Sequence, residues 1–135
     1  MIKFNELQIG DFVMAEFEGQ QCMGEVVDLN APNKQVCVET EVQEFWYEEE
    51  HLYPITLDDE ALKWLQFTSE EQGDGSVKYK KGSFRILIPK KGDFSSMDIW
   101  YREDKRVHPN VHYVHQLQNH YLQMTKIHLT KEEMV

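Results

Sequence analysis

Short apolar-rich runs punctuated by turn residues fill most of the first 50 positions, with a clear period of two in Gln35 to Glu39, and a helical period appears twice further on. Asp11 to Phe17, Gln21 to Leu29, Gln35 to Glu39 and Val42 to Tyr47 are short runs rich in Val, Phe, Met and Tyr. They are separated by Glu18-Gly19, by Asn30-Ala31-Pro32-Asn33 and by a tight reversal near Thr40-Glu41. Within Gln35 to Glu39, Val36 and Val38 alternate with Gln35, Cys37 and Glu39, as in a strand with one face in a core. Four or five such strands in so short a stretch predict an SH3-like small β-barrel over residues 1–54.

Residues 55–135 read as a second, α+β lobe. Pro54 stops the preceding strand and Thr56 can cap a helix over 57–67, with Asp58, Asp59 and Glu60 in its first turn, where the helix dipole favours acids. Leu57, Ala61, Leu62, Trp64 and Leu65 fall on one broad side of it. A polar loop, TSEEQGDGS over 68–76, leads to an antiparallel meander within 76–102: Ser76 to Lys80, Ser83 to Ile88 and Met97 to Arg102. Lys81-Gly82 and Lys90-Lys91-Gly92-Asp93 supply its turns. A last helix is predicted over 111–125, started by Pro109 and Asn110. The whole is an α+β fold.

The last helix holds the densest candidate chemistry, because His108, His112, His115 and His120 lie within or just ahead of it. On a wheel of about 100° per residue starting at Val111, the apolar side chains fill an arc from about 200° round to about 20°. His115, Asn119, His112 and His120 fall near 40°, 80°, 100° and 180°, which predicts that the imidazoles face water. His112 and His115 are close enough to chelate a metal, but zinc wants a third strong ligand and there is no HExxH pattern. Neither a metal nor any other cofactor is expected. Gln118, near 340°, is inside the apolar arc, where its amide must find partners; the expectation is that it ties the helix to a backbone edge of a sheet.

Charge divides the chain as the periodicity does. Residues 1–60 hold 15 Asp and Glu against Lys3 and Lys34, a balance of −13, whereas residues 61–135 hold 12 Lys and Arg against 9 Asp and Glu, or +3. Complementarity between lobes, or between copies in a homo-oligomer, would explain such a split without any further partner. Cys22 and Cys37 are too few and too widely spaced for a disulfide framework or a CxxC site, and read as reduced thiols. No apolar run reaches the roughly 20 residues of a membrane span, and the start lacks a signal-peptide h-region, so no membrane is expected and the cytoplasm is the expected location.

Three functional readings follow. In the first, the chain is a non-enzymatic interaction module whose acidic barrel binds a basic protein through Glu44, Trp46, Tyr47, Glu48, Glu49 and Glu50, aromatics giving contact area and carboxylates steering encounter. In the second, the basic hairpin of the C-terminal lobe binds nucleic acid through Lys78, Lys80, Lys81, Arg85 and Trp100, with Lys90, Lys91, Phe94 and Tyr101 nearby. Lysines so placed also protect sheet edges from aggregation. In the third, His112 and His115 serve a metal-dependent enzyme.

Three segments also carry a resemblance. LQIGDFV (Leu7 to Val13), LYPITLDDEALKWLQF (Leu52 to Phe67) and YVHQLQN (Tyr113 to Asn119) are similar, in the same order, to segments of a family of small uncharacterised proteins of Bacteroides-type bacteria and their phages. Two departures stand out: Gln66 replaces the family's Gly before Phe67, and His120 stands where an apolar residue is usual. The resemblance implies a cytoplasmic accessory protein, borne on a phage or other mobile element, that acts by contact with another macromolecule; it assigns no catalytic residue.

Overall fold

The computed structural model describes residues 1–107 and 109–130; His108 and residues 131–135 lie outside them. The fold is α+β, with two five-stranded antiparallel sheets and one main helix. It divides into two compact units: Met1–Ile55 with Tyr113–Asn119, and Thr56–His112 with His120–Val135.

The first unit holds β1 (Phe12–Phe17), β2 (Gln20–Asn30), β3 (Gln35–Thr40), β4 (Glu44–Glu48) and β5 (Leu52–Tyr53), in the order β4-β3-β2-β1-β5. Glu18 and Gly19 both take positive φ, 52° and 81°, as a two-residue hairpin turn requires. Val13, Ala15, Val26, Val36, Val38, Tyr47 and Leu52 form the core with Ile2 and Leu7. At Gly24 a side chain is sterically excluded, since a Cβ there would lie 2.5 Å from Val38 Cγ1 and 2.8 Å from the Glu39 carbonyl. β4 and β5 are the edges of the sheet, and among the described residues no pairing joins them into a closed barrel.

The second unit holds α1 (Asp59–Trp64), β6 (Thr68–Glu71), β7 (Val77–Lys81), β8 (Phe84–Ile88), β9 (Asp98–Tyr101) and β10 (Asp104–Val107), the strands in the order β10-β9-β8-β7-β6. Val77, Tyr79, Phe84, Ile86, Ile88 and Ile99 are buried at alternate positions. Phe84 meets Phe67 with ring centroids 6.1 Å apart and Tyr121 at 4.7 Å. Two strands depart from the sequence reading. β6 occupies the expected polar loop, and β10 extends the meander past residue 102; every residue of both is exposed, so backbone pairing, without a buried apolar side, makes them strands.

Both helices start later than expected, because backbone groups ahead of them have other partners. Asp58, not Thr56, caps α1: its backbone is extended and its carboxylate accepts from the Ala61 N–H at 2.7 Å, so the helix is 59–64 rather than 57–67. The final helix, α2 (Val114–Thr125), starts three residues after Val111. Leu57 N–H donates to the His112 carbonyl and Val114 N–H to the Ile55 carbonyl, which holds this stretch extended. Gln116 then accepts from the Tyr113 N–H at 3.1 Å.

Gln66 has φ 72°. Phe67 N–H donates to the Leu62 carbonyl and Gln66 N–H to the Lys63 carbonyl, so the tight left-handed helix end forms without glycine. An L side chain costs about 1 kcal/mol in that conformation. Gln66→Gly is therefore expected to raise unfolding free energy by about 0.5–1 kcal/mol in a urea melt. A loss of stability would mean that the strain is absent.

Candidate functional site

Two sheet faces and one buried cluster concentrate the functional chemistry. On the first sheet, register rather than sequence proximity assembles a carboxylate surface. Glu25, Glu39 and Glu44 form one cross-strand row, Asp28, Cys37 and Trp46 the next, and Asn30, Gln35 and Glu48 a third. Trp46 is 40% exposed amid these acids. Among the described residues, no cation forms an ion pair with Asp28, Glu39, Glu44 or Glu48; the ion pairs there all lie in the second unit. Burial, and then the fields of Glu44, Asp28 and Glu39, push the Cys37 thiol pKa up, so the thiol stays protonated. Cys22 and Cys37 are both free.

Not every residue expected on this surface is there. Tyr47 is buried in the core, because it alternates with Trp46 along β4. Glu49 lies in a 3-10 turn (Glu49–His51), where its carboxylate accepts from the Phe4 N–H, and Glu50 is exposed in the same turn. Asp28 and Glu39, which sequence reasoning left out, belong to the surface; β2–β3 pairing brings them in, and no local signal marks them.

On the outer face of the second sheet, Thr68, Lys80, Arg85, Trp100 and Lys105 form one row, and Glu70, Lys78, Leu87, Asp98 and Val107 the next. Lys78, Lys80, Arg85 and Trp100 thus come together as the nucleic-acid reading requires. Lys81 is on the opposite parity and donates to the Leu65 carbonyl at 3.0 Å. Lys80 pairs with Glu70 at 3.0 Å, and Lys91 with Glu71 at 2.9 Å. Phe94 packs against Tyr79 at 5.9 Å. Lys105 Nζ sits 4.7 Å from the Trp100 ring centroid, a cation–π contact missed because β10 was missed.

The histidine expectation is corrected. His112 precedes α2 and is exposed, while His115 is 2% exposed, so the two share no wet strip. The buried side of the helix, Val114, His115, Leu117, Gln118 and Tyr121, extends about 20° past the predicted apolar arc and takes in His115. Its ring stacks parallel to Tyr113 with centroids 6.0 Å apart, and neither ring nitrogen has a partner among the described residues. Burial lowers its pKa, against the opposing field of Glu6. His120 is half-buried; burial and then Arg106 lower its pKa, and Asp104 opposes. Among the described residues no group of three or more His, Cys, Asp or Glu could hold a metal ion.

Beside His115 in the first unit, Gln118 meets the expectation for its amide. Its Oε1 accepts from the Phe12 N–H and its Nε2 donates to the Gly10 carbonyl, both at 2.8 Å. Asn119 donates to the Glu6 carbonyl at 2.9 Å and to Asp11 Oδ2 at 3.3 Å; that oxygen also accepts from the Gln8 N–H at 2.9 Å. Asp11 is buried, and desolvation raises its pKa to about 7 despite these hydrogen bonds.

No protein-family model matches the chain, and comparisons with curated proteins and with solved structures find no match either. No helix of the described residues is long and apolar enough to cross a membrane.

The buried cluster makes two predictions about stability. Between the ordinary value near 4 and about 7, folded Asp11 keeps a proton that the unfolded chain has lost, so its contribution to stability falls as pH rises through that window. Asp11→Asn should therefore gain in Tm relative to the parent between about pH 4 and pH 7; a constant difference would contradict the burial. His115 acts with the opposite sign, because the unfolded chain takes up a proton below about pH 6.5 that the buried ring resists, and stability is lost as pH falls. His115→Phe keeps the stack on Tyr113 and removes the orphan nitrogens, so unfolding free energy at neutral pH should rise by about 1–3 kcal/mol. A fall would reveal a partner for the imidazole.

Proposed function

We propose that the chain is a non-enzymatic interaction module whose acidic sheet face, Glu39, Glu44, Trp46, Glu48 and Asp28, receives a basic protein segment. The observation that carries this reading is the direct opposition of Glu39 and Glu44 across β3 and β4, in one row with Glu25. Like charges directly opposite destabilise a sheet, so this arrangement works against the fold; a cationic partner would turn that repulsion into affinity. Trp46 supplies rigid contact area at the centre of the acids. β4 is an open edge, and an extended segment with Lys or Arg at alternate positions would run beside Glu44, Trp46 and Glu48.

The strand order β4-β3-β2-β1-β5, with a 3-10 turn just before β5, favours an SH3-like reading of the first unit. The resemblance in Leu7 to Val13, Leu52 to Phe67 and Tyr113 to Asn119 supports a cytoplasmic accessory role on a phage or mobile element.

A short labelled peptide with Lys or Arg at alternate positions tests the reading by fluorescence anisotropy. Binding is expected to weaken at least about tenfold as ionic strength rises from about 0.01 to 0.15 M, across which the Debye length falls from about 30 to about 8 Å. Glu39→Lys should abolish binding and, by relieving the repulsion between Glu39 and Glu44, raise unfolding free energy by about 0.2–1 kcal/mol. Undiminished binding by the folded variant, or none by the parent, would overturn the proposal.

A further inference from the structure

We propose that the groove on the outer face of the second sheet, lined by Lys78, Arg85 and Trp100, binds single-stranded nucleic acid, with a base on the indole and phosphodiesters on the cations. The site differs from the acidic face in location and in charge. Its groove has a volume of about 380 Å³ and is lined also by Gln72, Asp74, Ser76 and Leu87. That is within the range of about 300–1,000 Å³ typical of ligand sites.

The side chains suit such a ligand individually. Arg85 Nη2 donates to the Arg102 carbonyl at 3.2 Å, which fixes the guanidinium, while its buried Nε has no partner among the described residues and keeps one donor to satisfy. Trp100 is half-exposed, and the cation that covers it, Lys105, is on an all-exposed edge strand. A base stacking on that face replaces the ammonium and releases it to a phosphate. Asp74 is held by the Ser76 N–H at 3.0 Å and the Ser76 hydroxyl at 2.6 Å; it and Gln72 offer acceptors for exocyclic amines at the rim.

Register argues for a strand rather than a lone phosphate. Lys80, Arg85, Trp100 and Lys105 succeed one another across four strands, spaced by about 4.8 Å each, so the row is about 14 Å long. One phosphate cannot span it, but successive phosphodiesters can. Lys80 is already matched by Glu70, which leaves Lys78, Arg85 and Lys105 to neutralise the backbone.

Anisotropy of labelled oligo-cytidine and oligo-deoxycytidine, whose bases carry an exocyclic amine, with the intact chain and a salt series, tests the proposal. Binding is expected with a slope of log K on log salt of about −2, as three phosphate contacts imply. Trp100→Leu should weaken it about tenfold and Trp100→Phe much less, while Arg85→Gln should make the slope shallower by about 0.7. Circular dichroism and melting confirm that each variant is folded. Glu39→Lys, on the other sheet, should leave single-strand binding in place, which separates this site from the acidic face. Absence of binding by the folded parent, equal affinity for duplex or heparin, or indifference to both Trp100→Leu and Arg85→Gln would overturn it.

Discussion

The amide of Gln118 does for the first strand what a neighbouring strand would do. It accepts from the N–H of Phe12 and donates to the carbonyl of Gly10, both at 2.8 Å, from more than 100 residues away. β5 covers β1 only at Met14 and Ala15, and ahead of that point the glutamine continues the pairing. On the β2 side the same segment is held by the bonds Gly10 N–H to the Val26 carbonyl and Val26 N–H to the Asp11 carbonyl. A buried amide without such partners would cost about 1–3 kcal/mol, so the helix and the strand fix each other. Asn119, bonded to Glu6 and Asp11, extends the grip by one residue. β1 aligns β2, which in turn aligns β3 and β4, so the register of the acidic rows rests on this anchorage.

That dependence explains which parts of the molecule were legible in the sequence. Strands with one buried face announced themselves: Phe84, Ile86 and Ile88 alternate in the letters as their burial does in space, and Val36 and Val38 are both buried as their spacing indicates, although Cys37 between them is buried too. β6 and β10 did not, because edge strands with every residue exposed carry no alternation, and their charges look like a loop. The α1 end was misjudged for a different reason. Gln66 adopts the left-handed conformation that glycine would signal, and the backbone bonds of Phe67 and Gln66 hold it there against its own preference.

The functional residues show the same contrast between local and long-range information. Gln118 was readable because one polar residue in an apolar arc must be paired. His115 misled because it sits just outside that arc, and only the three-dimensional packing decides how wide a helix's buried side is. Tyr47 looked like part of an aromatic and acidic run, yet strand alternation turns it inward while Trp46 turns outward. Asp28 joining Trp46, and Lys105 joining Trp100, depend on pairing register, which no single run of letters contains. The two faces that result carry opposite chemistry: on one sheet Asp28, Glu39, Glu44 and Glu48, which form no ion pair among the described residues, and on the other a cation and indole row.

Amide hydrogen exchange at Phe12 tests the central claim most directly. If Gln118 holds the first strand, the Phe12 and Val26 amides exchange slowly in the native chain, and Gln118→Leu, which keeps the helix apolar, speeds exchange at Phe12 far more than at Ile86 in the second sheet. Fast exchange at Phe12 in the native chain, or protection that survives the substitution, would contradict the account.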